Sequence, residues 1–366
     1  VNDKLIESLQ KAKINAPTNI QTQSFEKIFS GENVWLKSPT GTGKTLAYVL
    51  PFINKVLDEK KPLTQIVMFT PTHELAVQVS NFVNETFSSV GFKSLALIGK
   101  ASIERQKDKL KKKPQLVVGS VGRILELIEQ KKLKANHLKY CIIDEADRML
   151  DDESFTVIKK ILEKTTDMQY VLGSATIRND ALKIADTFVD NIQMIDNSSE
   201  KSTITHSYIV ADSNRKNDAI RGLLNAVAPA KSIVFLHRNN DVDFVAKKIG
   251  NKELTVASIH GAQDKMQRAN TLKKFKNGQI SVLVASDVAA RGLDIDDIDY
   301  VINYDIPTKA EDYQHRAGRT GRMGKPGNSI FICNGFEVSI VEKLQKKMDI
   351  EIKEAKLSHG KLSLSN

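Results

Sequence analysis

Short apolar runs recur along the 366-residue chain and alternate with longer stretches in which apolar positions return every three or four residues. The first series falls at Val34 to Leu36, Ile66 to Thr70, Leu95 to Ile98, Leu116 to Gly119, Tyr140 to Asp144 and Tyr170 to Ser174. Runs this short, apolar on both of the faces a strand presents, predict strands of a parallel sheet that helices cover on both sides. After Asp196 the pattern lapses into the polar stretch Asn197-Ser198-Ser199-Glu200-Lys201-Ser202. It resumes with Tyr208 to Val210, Ile233 to Leu236, Val256 to Ile259, Val282 to Ala285, Val301 to Tyr304 and Ser329 to Cys333. The chain therefore reads as α/β, with two tandem domains at 1–198 and 205–366 joined by a linker at 199–204. From Lys353 onward it is polar and carries no further domain's pattern.

Composition agrees: 41% hydrophobic and 27% charged residues supply two cores and a solvated surface. Lys and Arg outnumber Asp and Glu by 54 to 44, a formal charge of +10, which favours a polyanionic partner without deciding for nucleic acid. Lysine clusters at Lys107 to Lys113 and Lys131 to Lys134 fit phosphate contacts or, more commonly, solvated turns. Cys141 and Cys333 lie in apolar runs and read as reduced core residues, which points to a reducing compartment. No apolar run reaches the roughly 18 residues of a membrane span and no signal-peptide layout opens the chain, so a cytoplasmic protein without membrane contact is expected.

The strongest local signal is Ser38-Pro39-Thr40-Gly41-Thr42-Gly43-Lys44-Thr45, placed between the strand Val34 to Leu36 and a helical run. Such a loop turns successive N–H groups and a helix N-terminus toward one point, which suits a phosphate chain. Lys44 is then placed to neutralise β and γ phosphates and the Thr45 hydroxyl to ligate Mg²⁺. Ser38 stands where the general pattern has glycine. Further on, the apolar run Tyr140 to Ile143 ends in Asp144-Glu145-Ala146-Asp147. Carboxylates at the carboxyl edge of a parallel sheet can hold Mg²⁺ (Asp144) and deprotonate an attacking water (Glu145); an acidic helix start reads the same way without catalysis.

Asp144 to Asp147 spell the signature of the DEAD-box RNA helicases, and other segments from about Ile14 to Gly324 resemble that family's motifs in order. The resemblance implies two RecA-like domains, ATP and Mg²⁺ as ligands and RNA, single-stranded or short duplex, as substrate. In Pro17 to Gln21 it implies that Gln21 reads adenine, with Lys13 and Ile14 standing where a glycine and an aromatic are usual. It implies RNA contacts by Thr72 and His73, the latter in place of an arginine, and by Gly99, Ser120 and Arg123, with Lys100 where a second glycine is usual. In the second half it implies RNA contacts by Gly261 and Ser286 and a ribose contact by Asp294. Asp147, Ser174, Thr176 and His315 are implied in coupling, and Arg319 and Arg322 as arginine fingers on the γ phosphate.

The expected activity is an RNA-dependent ATPase that locally unwinds short duplexes as its domains close. Two alternatives stay open: an ATP-gated RNA clamp with little strand separation, and a DNA-translocating helicase. Phosphate and sugar contacts do not choose a sequence, so specificity is expected from protein partners. The expected state is a monomer.

Overall fold

The computed structural model describes residues 2–39, 41–59, 61–197, 203–250, 254–290, 298–321, 325–358 and 360–365, in two compact units, 1–200 and 201–366. In the first, strands β1 (Val34–Lys37), β2 (Ile66–Phe69), β3 (Ser94–Leu97), β4 (Leu116–Gly119), β5 (Tyr140–Asp144), β6 (Gln169–Ser174) and β7 (Gln193–Asp196) lie in the order β3-β4-β2-β5-β6-β1-β7. Every pairing is parallel.

Alternation along each strand explains the continuous apolar runs. Val34, Leu36, Ile66, Met68 and Ile142 enter a core under the helices Asn19–Ser30, Lys44–Glu59 and His73–Phe87. Their neighbours Trp35, Val67, Phe69, Cys141 and Ile143 enter a second core under the helices Val121–Glu129 and Asp152–Leu162. Right-handed crossovers require this division: the chain moves one way from β1 to β3 and back the other way from β3 to β6, so its helices fall on opposite faces. The adjacent strands β5, β6 and β1 consequently bring the acidic segment, the Ser174 to Thr176 turn and the glycine-rich loop to one edge, where open α/β sheets bind ligands.

The second unit repeats the plan. Strands β8 (Ile204–Val210), β9 (Ser232–Leu236), β10 (Val256–Ile259), β11 (Val282–Ser286), β12 (Tyr300–Asn303), β13 (Gly327–Cys333), β14 (Ile352–Ser358) and β15 (Lys361–Leu364) lie in the order β10-β11-β9-β12-β13-β8-β14-β15. All pairings are parallel except β14 with β15, which is antiparallel.

Three strands depart from the expected pattern. β7 buries only Ile195, and β14 with β15 bury only Ile352 and Ala355, so these edge elements lack the two-faced apolar signal. The polar tail after Lys353 is therefore part of the sheet. The linker expected at 199–204 lies outside the described residues as far as 202, and Ile204, counted in that linker, opens β8. Cys141 and Cys333 are buried free thiols, as expected.

His206 on β8 sits with Nδ1 2.6 Å from the Tyr313 hydroxyl, and burial pushes its pKa down to about 4. The unfolded chain protonates this imidazole near its ordinary value of about 6.5. Its contribution to stability is thus full above that pH and is lost as pH falls toward 4. His206→Gln should flatten the pH dependence of the second unit's unfolding free energy, read from urea titrations over this window, by on the order of 3 kcal/mol; identical profiles for parent and variant would remove His206 as a cause.

Candidate active site

β1 ends at Lys37 and the chain turns through Ser38 to Gly43 into the helix Lys44–Glu59. Gly41 and Gly43 take φ of +86° and +88°, a left-handed conformation that glycine enters without a Cβ clash. Ser38 is fully buried. Its N–H donates to the Ser174 carbonyl (3.1 Å) and its hydroxyl to Thr42 Oγ1 (2.7 Å), which donates in turn to the Pro39 carbonyl (2.9 Å). The serine in place of glycine therefore braces the loop. Lys44 Nζ donates to the carbonyls of Ser38 and Pro39 at 2.5 and 2.7 Å, which points its charge along the loop. Thr40 lies outside the described residues.

The loop is also held from the N-terminal side. The helix Asp3–Lys11 ends with Lys13 N–H on the Gln10 carbonyl and Ile14 N–H on the Leu9 carbonyl, the paired bonds of a Schellman cap. Lys13 takes φ +61°, which gives the physical reason why a glycine suits this position, and Ile14 is partly buried against the first core. Thr18 then opens the next helix, and Gln21 reaches back to it, its Oε1 accepting from Thr18 N–H at 3.0 Å. Gln21 Nε2 donates to the Gly43 carbonyl at 3.1 Å. A Cβ on Gly43 would lie 2.5 Å from that nitrogen, so only glycine admits the contact. Gln21 thus ties the capped helix to the phosphate loop, a role its expected adenine contact did not foresee.

Asp144 ends β5 as a buried carboxylate. Burial first, and then the charge of Glu145, push its pKa up to about 6, against a hydrogen bond from Tyr48 and the charge of Lys44. Tyr48 was not foreseen. One turn beyond Thr45, it is fully buried and its hydroxyl bonds to Thr45 Oγ1 (3.4 Å) and to Asp144. Gly173 on β6 makes room for it: a Cβ there would lie 2.9 Å from the Tyr48 ring. The helical spacing of Thr45 and Tyr48 was the available clue. Glu145 occupies the left-handed region at φ +50°, a strain that functional sites commonly hold, and accepts from Arg148 at 3.1 Å.

Asp147 accepts from the Thr176 hydroxyl (2.6 Å) and the Thr176 N–H (3.3 Å), while its carbonyl accepts from Arg178 (3.1 Å). Ser174 behaves differently from expectation. Its hydroxyl accepts from the Trp35 indole at 2.8 Å because alternation along β6 turns it to the second core. Its link to the site is the carbonyl that receives Ser38.

This arrangement of loop, acidic segment and coupling turn coincides with a match over both halves of the chain. The profile of the family described as DEAD/DEAH box helicase covers residues 18–184, and that of the helicase conserved C-terminal domain covers 215–324. The DEAD-box ATP-dependent RNA helicase CshC of Bacillus cereus is 35% identical over 97% of this chain and 92% of that protein. The chain belongs to the DEAD-box helicase family. The probable ATP-dependent RNA helicase YfmL of Bacillus subtilis is 34% identical over 94% of this chain and 92% of that protein. S. cerevisiae Dbp5 bound to RNA and ADP BeF3 aligns with a TM-score of 0.84 at 26% identity, covering 97% of this chain and 93% of that one. The two mostly parallel sheets are RecA-like.

In this DEAD-box chain the residues expected at RNA line up at the carboxyl ends of β2, β3 and β4, which are neighbours in the sheet. Thr72 caps the helix His73–Phe87, accepting from Leu75 N–H at 3.2 Å. The His73 ring lies against Gly99, 3.6 Å from where a Cβ would stand. Ser120 stands at the N-cap position of the helix Val121–Glu129 without a side-chain capping bond and donates its N–H to the Leu97 carbonyl at 3.2 Å. Arg123 spends its guanidinium on Glu126 (2.9 Å) and on the carbonyls of Gly99 (2.9 Å) and Ala101 (3.1 Å). It therefore shapes the turn that carries Gly99 and Lys100.

In the second unit, Gly261 follows β10, and its N–H donates to Asn239 at 3.4 Å. Ser286 ends β11 fully buried, its hydroxyl without a partner among the described residues. His315 lies on the helix Ala310–Ala317 and Arg319 in the turn after it. Asp294 and Arg322 lie outside the described residues. Between His315 and Arg319 the structure adds Arg316, 2% exposed, which grips both Asp287 oxygens at 2.6 Å and stacks on Phe235. Burial opposes the charge on Asp287, but bonds from His237 and Arg316 outweigh it and hold the carboxyl at about 2.

Lys13→Gly should raise the first unit's stability by about 0.5 to 1 kcal/mol, the relief of a left-handed lysine less the added freedom of the unfolded chain. Urea unfolding of parent and variant checks it; a lower midpoint for the glycine variant would count against a strained cap.

Proposed function

We propose that this chain is an RNA-dependent ATPase and ATP-dependent RNA helicase that locally separates or remodels short duplexes. One observation carries the reading. The acidic segment touches the nucleotide side through Asp144, beside Thr45 and Tyr48, and the coupling turn through Asp147, bonded to Thr176. A displacement at the phosphate loop therefore reaches the β6 turn through four consecutive residues.

The donor set fits Mg²⁺. Thr45 and Asp144 offer hard oxygen ligands, and the buried Asp144 carboxyl, raised by burial and by Glu145, gains most from a cation. Mg²⁺ held there would neutralise phosphate charge. Lys44 and the N–H groups of the Ser38 to Thr45 loop orient the phosphates, Gln21 supports the adenine end, and Glu145 takes the proton of the attacking water. Arg319 and Arg322 supply charge to the γ phosphate. The hydroxyls of Thr72 and Ser120, with His73 and Gly99, bind the RNA backbone. Arg123, bonded to Glu126, Gly99 and Ala101, positions that surface rather than reaching from it, and an ATP-gated RNA clamp with little strand separation is the competing reading.

No described helix is long and apolar enough to cross a membrane. The cytoplasm, a monomeric state and protein partners that confer specificity complete the proposal.

Steady-state hydrolysis with and without single-stranded RNA tests it, together with release of a short labelled strand. Glu145→Gln should lower RNA-stimulated turnover by roughly 10² to 10⁴ while ATP still binds. Thr176→Val should spare much of the hydrolysis and abolish strand release, because it cuts the hydroxyl bond to Asp147. Hydrolysis indifferent to RNA would defeat the helicase reading, and RNA-stimulated hydrolysis without strand release in the parent would favour the clamp.

A further inference from the structure

Two lysine-rich turns lie together on the edge of the first sheet opposite the phosphate loop. The helices Ile103–Leu110 and Val121–Glu129 leave the carboxyl ends of β3 and β4 and return to the amino ends of β4 and β5. Both crossovers run in the same direction, so both helices cover the same face, and Leu110, Ile124, Leu127 and Ile128 share one core. Hydrogen bonds tie the returning segments side by side through the one that enters β2. Thr64 Oγ1 donates to the Pro114 carbonyl (2.7 Å), Gln65 N–H to the Gln115 carbonyl (3.0 Å), and Lys139 N–H to the Gln65 carbonyl (2.8 Å).

The two turns expose Lys109, Lys112, Lys113, Lys131, Lys132 and Lys134, none with an acidic partner among the described residues. Two acids near this edge are engaged, Asp108 with Lys111 and Glu59 with Lys139, and the exposed Glu129 beside Lys131 offsets one of the six charges. Lys113 and Lys131 moreover sit at φ +52° and +56°, positions in which glycine would relieve the backbone. The uncompensated charge is thus concentrated on one rim, away from the residues expected to bind RNA at the other.

We propose that this rim is a second RNA-binding surface, which holds the phosphate backbone of a duplex arm or strand flanking the segment in the helicase site. The proposal rests on the RNA reading above. Flexible ammonium groups recognise phosphates without reading bases, so the surface adds affinity and no sequence preference. The strands separating the two rims span roughly 15 Å, so an RNA confined to the helicase site does not reach it.

The test uses the full chain and a variant carrying Lys112→Ala, Lys113→Gly, Lys131→Gly and Lys132→Ala, in which the glycines accept the left-handed backbone. The probes are an oligouridylate of about ten nucleotides and the same strand extended by a hairpin arm of about fifteen base pairs, titrated across a salt series. The variant should bind the short strand as the parent does. On the hairpin probe its slope of log affinity against log salt should fall by about 3, with at least a tenfold loss of affinity at low salt. ATP hydrolysis at saturating short strand should be unchanged. Equal slopes for parent and variant on the hairpin probe, with stimulated hydrolysis intact, would overturn the second surface alone. Failure of the short strand to stimulate the parent would overturn the RNA reading beneath it.

Discussion

Asp144 is a carboxylate placed where water cannot solvate it, and the arrangement around it answers to that constraint. Burial and Glu145 raise its pKa, the Tyr48 hydroxyl and Lys44 offset part of the cost, and a divalent cation would offset more. A buried anion of this kind makes the free site electrostatically unfinished and rewards the ligand that completes it. Gly173 is glycine because the Tyr48 ring needs the space, and Tyr48 lies within reach because Thr45 sits one helical turn before it.

The same strand end carries the second half of the device. Asp144 faces the nucleotide loop, Asp147 faces Thr176, and Glu145 between them is forced into a left-handed turn that separates the two directions. The acidic segment is therefore a joint between two hydrogen-bonded loops. In the second unit the buried Arg316 binds the partly buried Asp287, with the exposed His237 at its edge, and the guanidinium is fully engaged by its neighbours. Such a network fixes the turn that presents Arg319.

Most of the fold was legible because strands buried on both faces are unbroken apolar runs, and motif order located the loops at their ends. β7, β14 and β15 were not legible because strands at or next to a sheet edge that bury two residues or fewer leave one or two apolar letters in a polar stretch. The site was legible as residue types and less so as contacts. Gln21 was read through its amide, but its bond to Gly43 depends on how close the cap of one helix approaches the start of another. Ser174 was read with the acidic segment, yet alternation along β6 turns its hydroxyl to the opposite core. Lys13 and Ile14 read as departures from a pattern; the structure accounts for them as a strained helix cap and its apolar staple.

The chain has a single tryptophan, Trp35, and it is fully buried with its indole N–H on the Ser174 hydroxyl. Ser174 also receives the first N–H of the phosphate loop through its carbonyl and stands two residues before Thr176. The one indole of this chain, beside seven tyrosines, thus stands at the junction of nucleotide loop and coupling turn. Its emission, free of any competing indole, gives an optical record of that junction through each turnover without a label or a substitution.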